Sequence, residues 1–287
     1  MALASPGWGR QAGGMAEIQR YAAFTEDPQG GNPAGVVLDA AGLSAERMLA
    51  VAAEVGYSET AFRVSVDGGR HRVRYFAPLA EVPFCGHATV ATAVALGPGE
   101  HIFVTDAGEV PVRVDEAGRA TLTSVVPTVG ELSAADLQAL LAALRWNASD
   151  LDGALPPKVA YAGAYHPIVA VGTRRRLAEL DYDVPALKAL MQARGWTTVQ
   201  LVFRAAEDTF DVRDPFPVGG VYEDPATGAA AAAFGAYLRE LRIVPADATL
   251  LLRQGDDMGR PSRITVELRR DEPGVRVSGN AVPITDL

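Results

Sequence analysis

Apolar and polar positions alternate in short runs along most of the chain, and glycine, proline and aspartate separate the runs. Period-two alternation predicts strands over residues 18–25, 34–38, 58–66 and 71–76. Further strands are expected over 102–104, 110–114 and 120–126, within 158–171, and over 198–205, 209–213, 248–254, 263–269 and 274–282. Stretches with helical spacing predict helices over 44–55, 88–96, 133–144, 174–180, 184–193 and 229–241. Ser44 and Ser133 stand where an N-cap belongs, and Gly56 is a natural C-terminal stop. Asp67-Gly68-Gly69 is a hairpin signal, Gly30-Gly31-Asn32-Pro33 reads as a turn cluster, and residues 80–87 read as a loop.

Two of the predicted helices are rich in alanine, and each follows a similar loop. The first loop is Glu81-Val82-Pro83-Phe84-Cys85-Gly86-His87-Ala88. The second, about 142 residues later, is Glu223-Asp224-Pro225-Ala226-Thr227-Gly228-Ala229-Ala230. The echo suggests a duplicated half-chain, with chance likeness of short Ala/Gly-rich segments as the alternative. Its chemistry is specific. Glycine at a helix start lets a ligand approach the backbone, and the free N–H groups and dipole there favour an anion such as a carboxylate. Two such starts facing one another would hold one small acid from both sides.

Composition narrows the options. A chain of 287 residues has room for two domains. With 48% hydrophobic and 21% charged residues it is neither disordered nor fibrous. No apolar stretch reaches the roughly 18–20 residues of a membrane helix. A net charge of −9 argues against a nucleic-acid partner, and the run Arg174-Arg175-Arg176 reads as a solvated face. The single cysteine, Cys85, excludes an internal disulfide and a cysteine-based metal cluster. The four histidines form no metal-ligand spacing, so no metal is expected, and His71, His101 and His166 read as structural. Residues 1–14 lack a secretory core and read as an unstructured leader or tag, with Met15 opening the ordered pattern and the cytoplasm as the default location.

Six segments, in order, resemble the PhzF-like phenazine biosynthesis family of the diaminopimelate epimerase fold group. They are Gly31-Asn32-Pro33; Ser58-Glu59-Thr60-Ala61-Phe62; Arg74-Tyr75-Phe76-Ala77-Pro78; 81–89; 223–228; and Gln254-Gly255 with Met258-Gly259-Arg260-Pro261-Ser262. The resemblance spans about 18–282. It implies an α+β fold of two similar domains, each a β-barrel-like sheet around a central helix, with the active cleft between them. The expected boundaries are 15–127 and 128–274, with 275–287 as a candidate to complete the first domain. It also implies a cofactor-independent isomerase that forms homodimers and shifts a proton on a small cyclic or unsaturated carboxylate, as in isomerisation of trans-2,3-dihydro-3-hydroxyanthranilate.

Carried over residue by residue, the resemblance makes Glu59 the general acid/base, His87 a substrate-contacting histidine and Asp224 a second acidic site residue. Gly86, Gly228 and the following N–H, that of Ala229, would hold the substrate carboxylate. Asn32 would line the cleft. A carboxylate partly desolvated in a cleft has its pKa raised, which suits a base that takes a proton from carbon and returns it. Ala229 stands where the family commonly has serine, so a side-chain hydroxyl is missing. Two readings compete with the isomerase: a non-catalytic carboxylate-binding protein, and an epimerase acting through Glu59 and Asp224. Racemisation by paired thiols is excluded, because Thr227 matches the position of Cys85 in the second loop.

Overall fold

The computed structural model describes residues 17–285. The expected leader and Met15 lie outside them. The first half of the chain forms β1 (Gln19–Ala23), β2 (Asn32–Val37), α1 (Ala45–Val55), β3 (Glu59–Asp67), β4 (Arg70–Ala77), β5 (Ala80–Val82), α2 (Gly86–Leu96), β6 (Gly99–Thr105), β7 (Gly108–Val114) and β8 (Arg119–Thr123). The second half forms β9 (Thr128–Glu131), α3 (Ala134–Leu144), β10 (Lys158–Tyr161), β11 (Tyr165–Ala170), α4 (Arg174–Ala178), α5 (Val184–Arg194), β12 (Gln200–Arg204) and β13 (Thr209–Pro215). It continues with β14 (Glu223–Asp224), α6 (Gly228–Glu240), β15 (Ala248–Gln254), β16 (Ser262–Leu268) and β17 (Arg276–Pro283).

Strand pairing closes a ring in the first half. The order β1-β2-β3-β4-β6-β7-β8 is completed by β17, which pairs with β8 on one side and β1 on the other. The pair β2–β3 is parallel and needs a crossover, which α1 supplies. The second half repeats this logic. Strands β11 and β12 are parallel across α4 and α5, β13 and β15 are parallel across α6, and β16 pairs with the same β17. The architecture is α+β, as expected.

Each curled sheet wraps one helix. Helix α2 packs against β1, β2, β3, β7, β8 and β17, and α6 against β9, β10, β11, β16 and β17. Both helices are built from small residues because they are buried nearly all round. The remaining helices lie outside: α1 covers Phe62 and Phe76, while Leu140, Leu144, Leu187 and Met191 of α3 and α5 pack on Val169 and Leu201.

Several local expectations change. Asn32 and Pro33 open β2 rather than sitting in a turn, and residues 80–87 contain β5 and the first two residues of α2. The run 158–171 is a hairpin, β10–β11. Strand β9 was not expected. Of the run Arg174-Arg175-Arg176, Arg175 is exposed, while Arg174 is half-buried and bridges Asp211 and Asp257.

Candidate active site

The two glycine-led helix starts meet. A Cβ placed on Gly86 would sit 3.6 Å from Gly228 Cα, so the backbones touch where either half begins its central helix. The N-cap residues Cys85 and Thr227 form no side-chain cap bond. Their first-turn N–H groups are therefore free of the capping that Ser44, Ser133, Thr173 and Asp183 provide to α1, α3, α4 and α5. Uncapped starts in contact concentrate positive partial charge at one point.

This point opens into a cavity of about 420 Å3, the size of a small-molecule site. Glu59, His87, Asp224, Gly86, Gly228 and Ala229 all line it. Asn32 does not line the cavity. It is buried behind the wall, where it links the two halves. A smaller apolar pocket of about 70 Å3 shares Gly86, Gly228 and Ala229 with the cleft and is walled by Phe84, Leu122 and Ala232.

Glu59 is the first residue of β3, fixed opposite Ala34 of β2, and it is buried. Its Oε2 lies 3.5 Å from His87 Nε2. Asn32 Nδ2 donates to Asp224 Oδ1 at 2.7 Å and lies 3.1 Å from His87 Nδ1. An amide nitrogen only donates, so Nδ1 accepts and the ring proton sits on Nε2, facing Glu59 and Ser58 Oγ at 3.3 Å. Burial pushes the His87 pKa down despite the opposing pull of Glu59. The His87–Glu59 contact is thus between a neutral imidazole and a carboxyl group, not an ion pair.

Asp224 has both oxygens engaged, Oδ1 by Asn32 and Oδ2 by the Thr227 hydroxyl at 2.5 Å. Burial pushes its pKa up to about 7; the Glu59 charge adds to the rise, while the Thr227 and Asn32 hydrogen bonds oppose it. Gln254 holds the second loop from below. Its Nε2 donates to the Asp224 carbonyl, and its Oε1 accepts from Thr227 N–H. Ser58, Thr227 and Gln254 lie in segments that carried the family resemblance, yet no rule of spacing assigned them a role.

Glu59, Cys85 and His87 offer oxygen, sulfur and nitrogen atoms within 4.8 Å of one another. The cluster is poorly prepared for a cation. Burial, with Glu59 beside it, pushes the Cys85 thiol well up, and the imidazole proton occupies the nitrogen facing Glu59.

The sequence profile of the phenazine biosynthesis-like protein family, PhzC-PhzF, matches residues 21–286. The uncharacterized isomerase YddE of Escherichia coli strain K12 is 34% identical over 289 residues, covering 93% of this chain and 95% of that protein. The trans-2,3-dihydro-3-hydroxyanthranilate isomerase of Pseudomonas aeruginosa is 34% identical over 266 residues, covering 89% and 91%. The crystal structure of a Bacillus anthracis phenazine biosynthesis protein of the PhzF family superposes with a TM-score of 0.84 at 27% identity, over 93% of this chain and 96% of that one. Fold and relatives define an isomerase on an epimerase-like α+β scaffold. The chain belongs to the phenazine biosynthesis-like, or PhzF, family.

Proposed function

We propose that this isomerase moves a proton between two carbons of a small cyclic or unsaturated carboxylate, with Glu59 as the group that carries it. The observation that carries the reading is a single cavity in which a buried carboxyl group, Glu59, faces two uncapped helix starts in mutual contact. The substrate carboxylate sits against the N–H groups at Gly86, Gly228 and Ala229. Glu59 takes a proton from one carbon, the adjacent double bond shifts, and Glu59 returns the proton to another carbon, so the formula is unchanged. Negative charge that develops on the way is met by the same N–H groups and by His87 Nε2–H. Glu59 accounts for both proton steps, so the chemistry asks for no added cofactor.

Asp224 serves as a positioning group in this scheme. With both oxygens occupied it holds Asn32, and Asn32 sets the His87 ring. That occupancy counts against an epimerase in which Asp224 would exchange protons with substrate. Ala229 is the one feature that favours a second reading, a carboxylate binder without chemistry. Hydrogen–deuterium exchange at substrate C–H in heavy water separates the two. Candidate acids for that assay are unsaturated ring carboxylates related to the substrate named for the Pseudomonas relative. Exchange in the native chain that vanishes in Glu59→Gln, with binding kept, is the expected outcome. Exchange that persists in Glu59→Gln removes the assignment, and binding without any exchange leaves the binder.

A further inference from the structure

Both helix starts are preceded by the same fastening. Tyr75 pairs with Val82 four residues before Gly86, and Asp214 pairs with Asp224 four residues before Gly228. The residues just before these are Arg74 and Glu81 in the first half, and Arg213 and Glu223 in the second, so the two pairs hold matching places. Each pair makes a two-pronged ion pair. Arg74 Nε and Nη2 donate to Glu81 Oε1 and Oε2 at 2.6 and 2.7 Å. Arg213 Nε and Nη2 donate to Glu223 Oε1 and Oε2 at 2.8 and 2.5 Å. The arginines lie on the preceding strands, outside the two similar loops, so chance likeness of Ala/Gly-rich loops does not account for them.

The first pair is partly exposed, whereas the second is buried and tied further. Arg213 Nη1 donates at 2.8 Å to the Ala178 carbonyl that ends α4. Asp257 lies 3.9 Å from the same nitrogen and binds Arg174, which binds Asp211, which binds Arg253. Charges alternate along this ladder, and its ends are chain neighbours of site residues. Glu223 precedes Asp224, and Arg253 precedes Gln254, which holds the Asp224 carbonyl and the Thr227 N–H. Successive side chains of a strand point to opposite faces, so on the two-residue β14 Glu223 goes outward to Arg213 while Asp224 turns inward to Asn32. A buried Arg–carboxylate fork adds little net stability over an apolar pair; what it supplies is a fixed geometry.

We infer that Arg213 and Glu223 are positioning residues: their fork fixes β14 so that Asp224 meets Asn32, and through Asn32 it keeps the His87 proton on Nε2, facing Glu59. Arg74 and Glu81 are the counterpart that sets the loop before Gly86. None of the four is among the residues that line the cleft, so none touches a ligand there. The effect on catalysis rests on the proposed function; the effect on His87 does not.

The His87 tautomer, read by 15N NMR on the full chain, tests this without a substrate. The double variant Arg213→Met with Glu223→Met removes the fork and leaves no unpaired charge behind, a replacement that buried ion pairs often tolerate. We expect one tautomer in the native chain, with the proton on Nε2, and a rise of the Nδ1–H form by at least about fivefold in the double variant, the scale of one lost hydrogen bond. Glu223→Gln, which can still accept from Arg213 Nε, should show a smaller rise. A native ring protonated on Nδ1, a folded double variant with the native tautomer alone, or a rise in Glu223→Gln as large as in the double variant overturns the inference. Should the double variant not fold, Glu223→Gln decides: a rise supports the inference and none overturns it. In the C–H exchange assay the double variant should lose rate at saturating acid by at least about tenfold, with little change in KM. A native chain without exchange removes the proposed function, while the tautomer still decides this inference.

Discussion

Asn32 reaches Asp224, 192 positions away in sequence, and the same amide nitrogen also meets His87. Replacing it with leucine strands a buried carboxyl oxygen and frees the imidazole. We expect Asn32→Leu to lower stability by about 1–3 kcal/mol in chemical denaturation. Substrate C–H exchange should fall at least about tenfold, with smaller loss of ligand affinity. His166 gives a pH prediction of defined sign. Its folded pKa, about 4, lies below the ordinary histidine value of 6.5. Between those values the unfolded chain binds a proton that the native one does not, so stability falls as pH drops through this window, by roughly 3 kcal/mol. Asp224 acts in the opposite sense. Its folded pKa is raised, so the native state holds the extra proton between about 4 and 7, and stability from this group declines as pH rises. Denaturation midpoints of His166→Phe and Asp224→Asn across pH 4–7 should separate the two slopes; parallel profiles would contradict both signs.

Among the elements, β17 leaves no room for a side chain at Gly279. A Cβ on Gly279 would come within 2.3 Å of Phe24 Cδ1. Phe24 is fully buried, holds a φ of 63° and also packs on Gly228, so it has little freedom to yield. Gly279→Ala should therefore cost about 1–3 kcal/mol, read as a lower thermal midpoint, and it should loosen the start of α6 as well. Most elements were legible locally. Ser44 and Ser133 cap the helices they were expected to cap, and strand alternation located most of the β-runs to within a few residues. Strand β9, Thr-Val-Gly-Glu, was not legible, because four residues with one large apolar side chain carry no period; pairing with β10 makes it a strand. Glu59, His87 and the two glycine loops were legible through the family resemblance. The role of Gln254 was not. His71 and His101, read as structural, lie 3.3 Å apart across neighbouring strands. Their neighbours are fixed by register between distant segments, and no local pattern encodes register at that range.

At the scale of the molecule, the halves share one strand and one point of helix contact. Arg260 donates to the Gly30 and Gly31 carbonyls, and Gly31 N–H returns a bond to Pro261, so the loop before β16 also clasps the loop before β2. Movement of one half against the other must bend β17, which pairs with β1 and β8 of the first half and with β16 of the second. We predict that a fragment ending at residue 127 stays unfolded by circular dichroism, and that a peptide spanning 276–285, added in trans, restores strand signal; a fragment folded by itself would contradict this.

The ring's last member reaches its neighbours only after more than 250 residues separate it from β1. During synthesis, then, the seven strand-forming segments remain without their closing partner, exposed to pairing with other nascent chains. Growth temperature and chaperone supply should govern the yield of this protein more than its final stability does, because the vulnerable period ends only when residues 276–283 emerge from the ribosome.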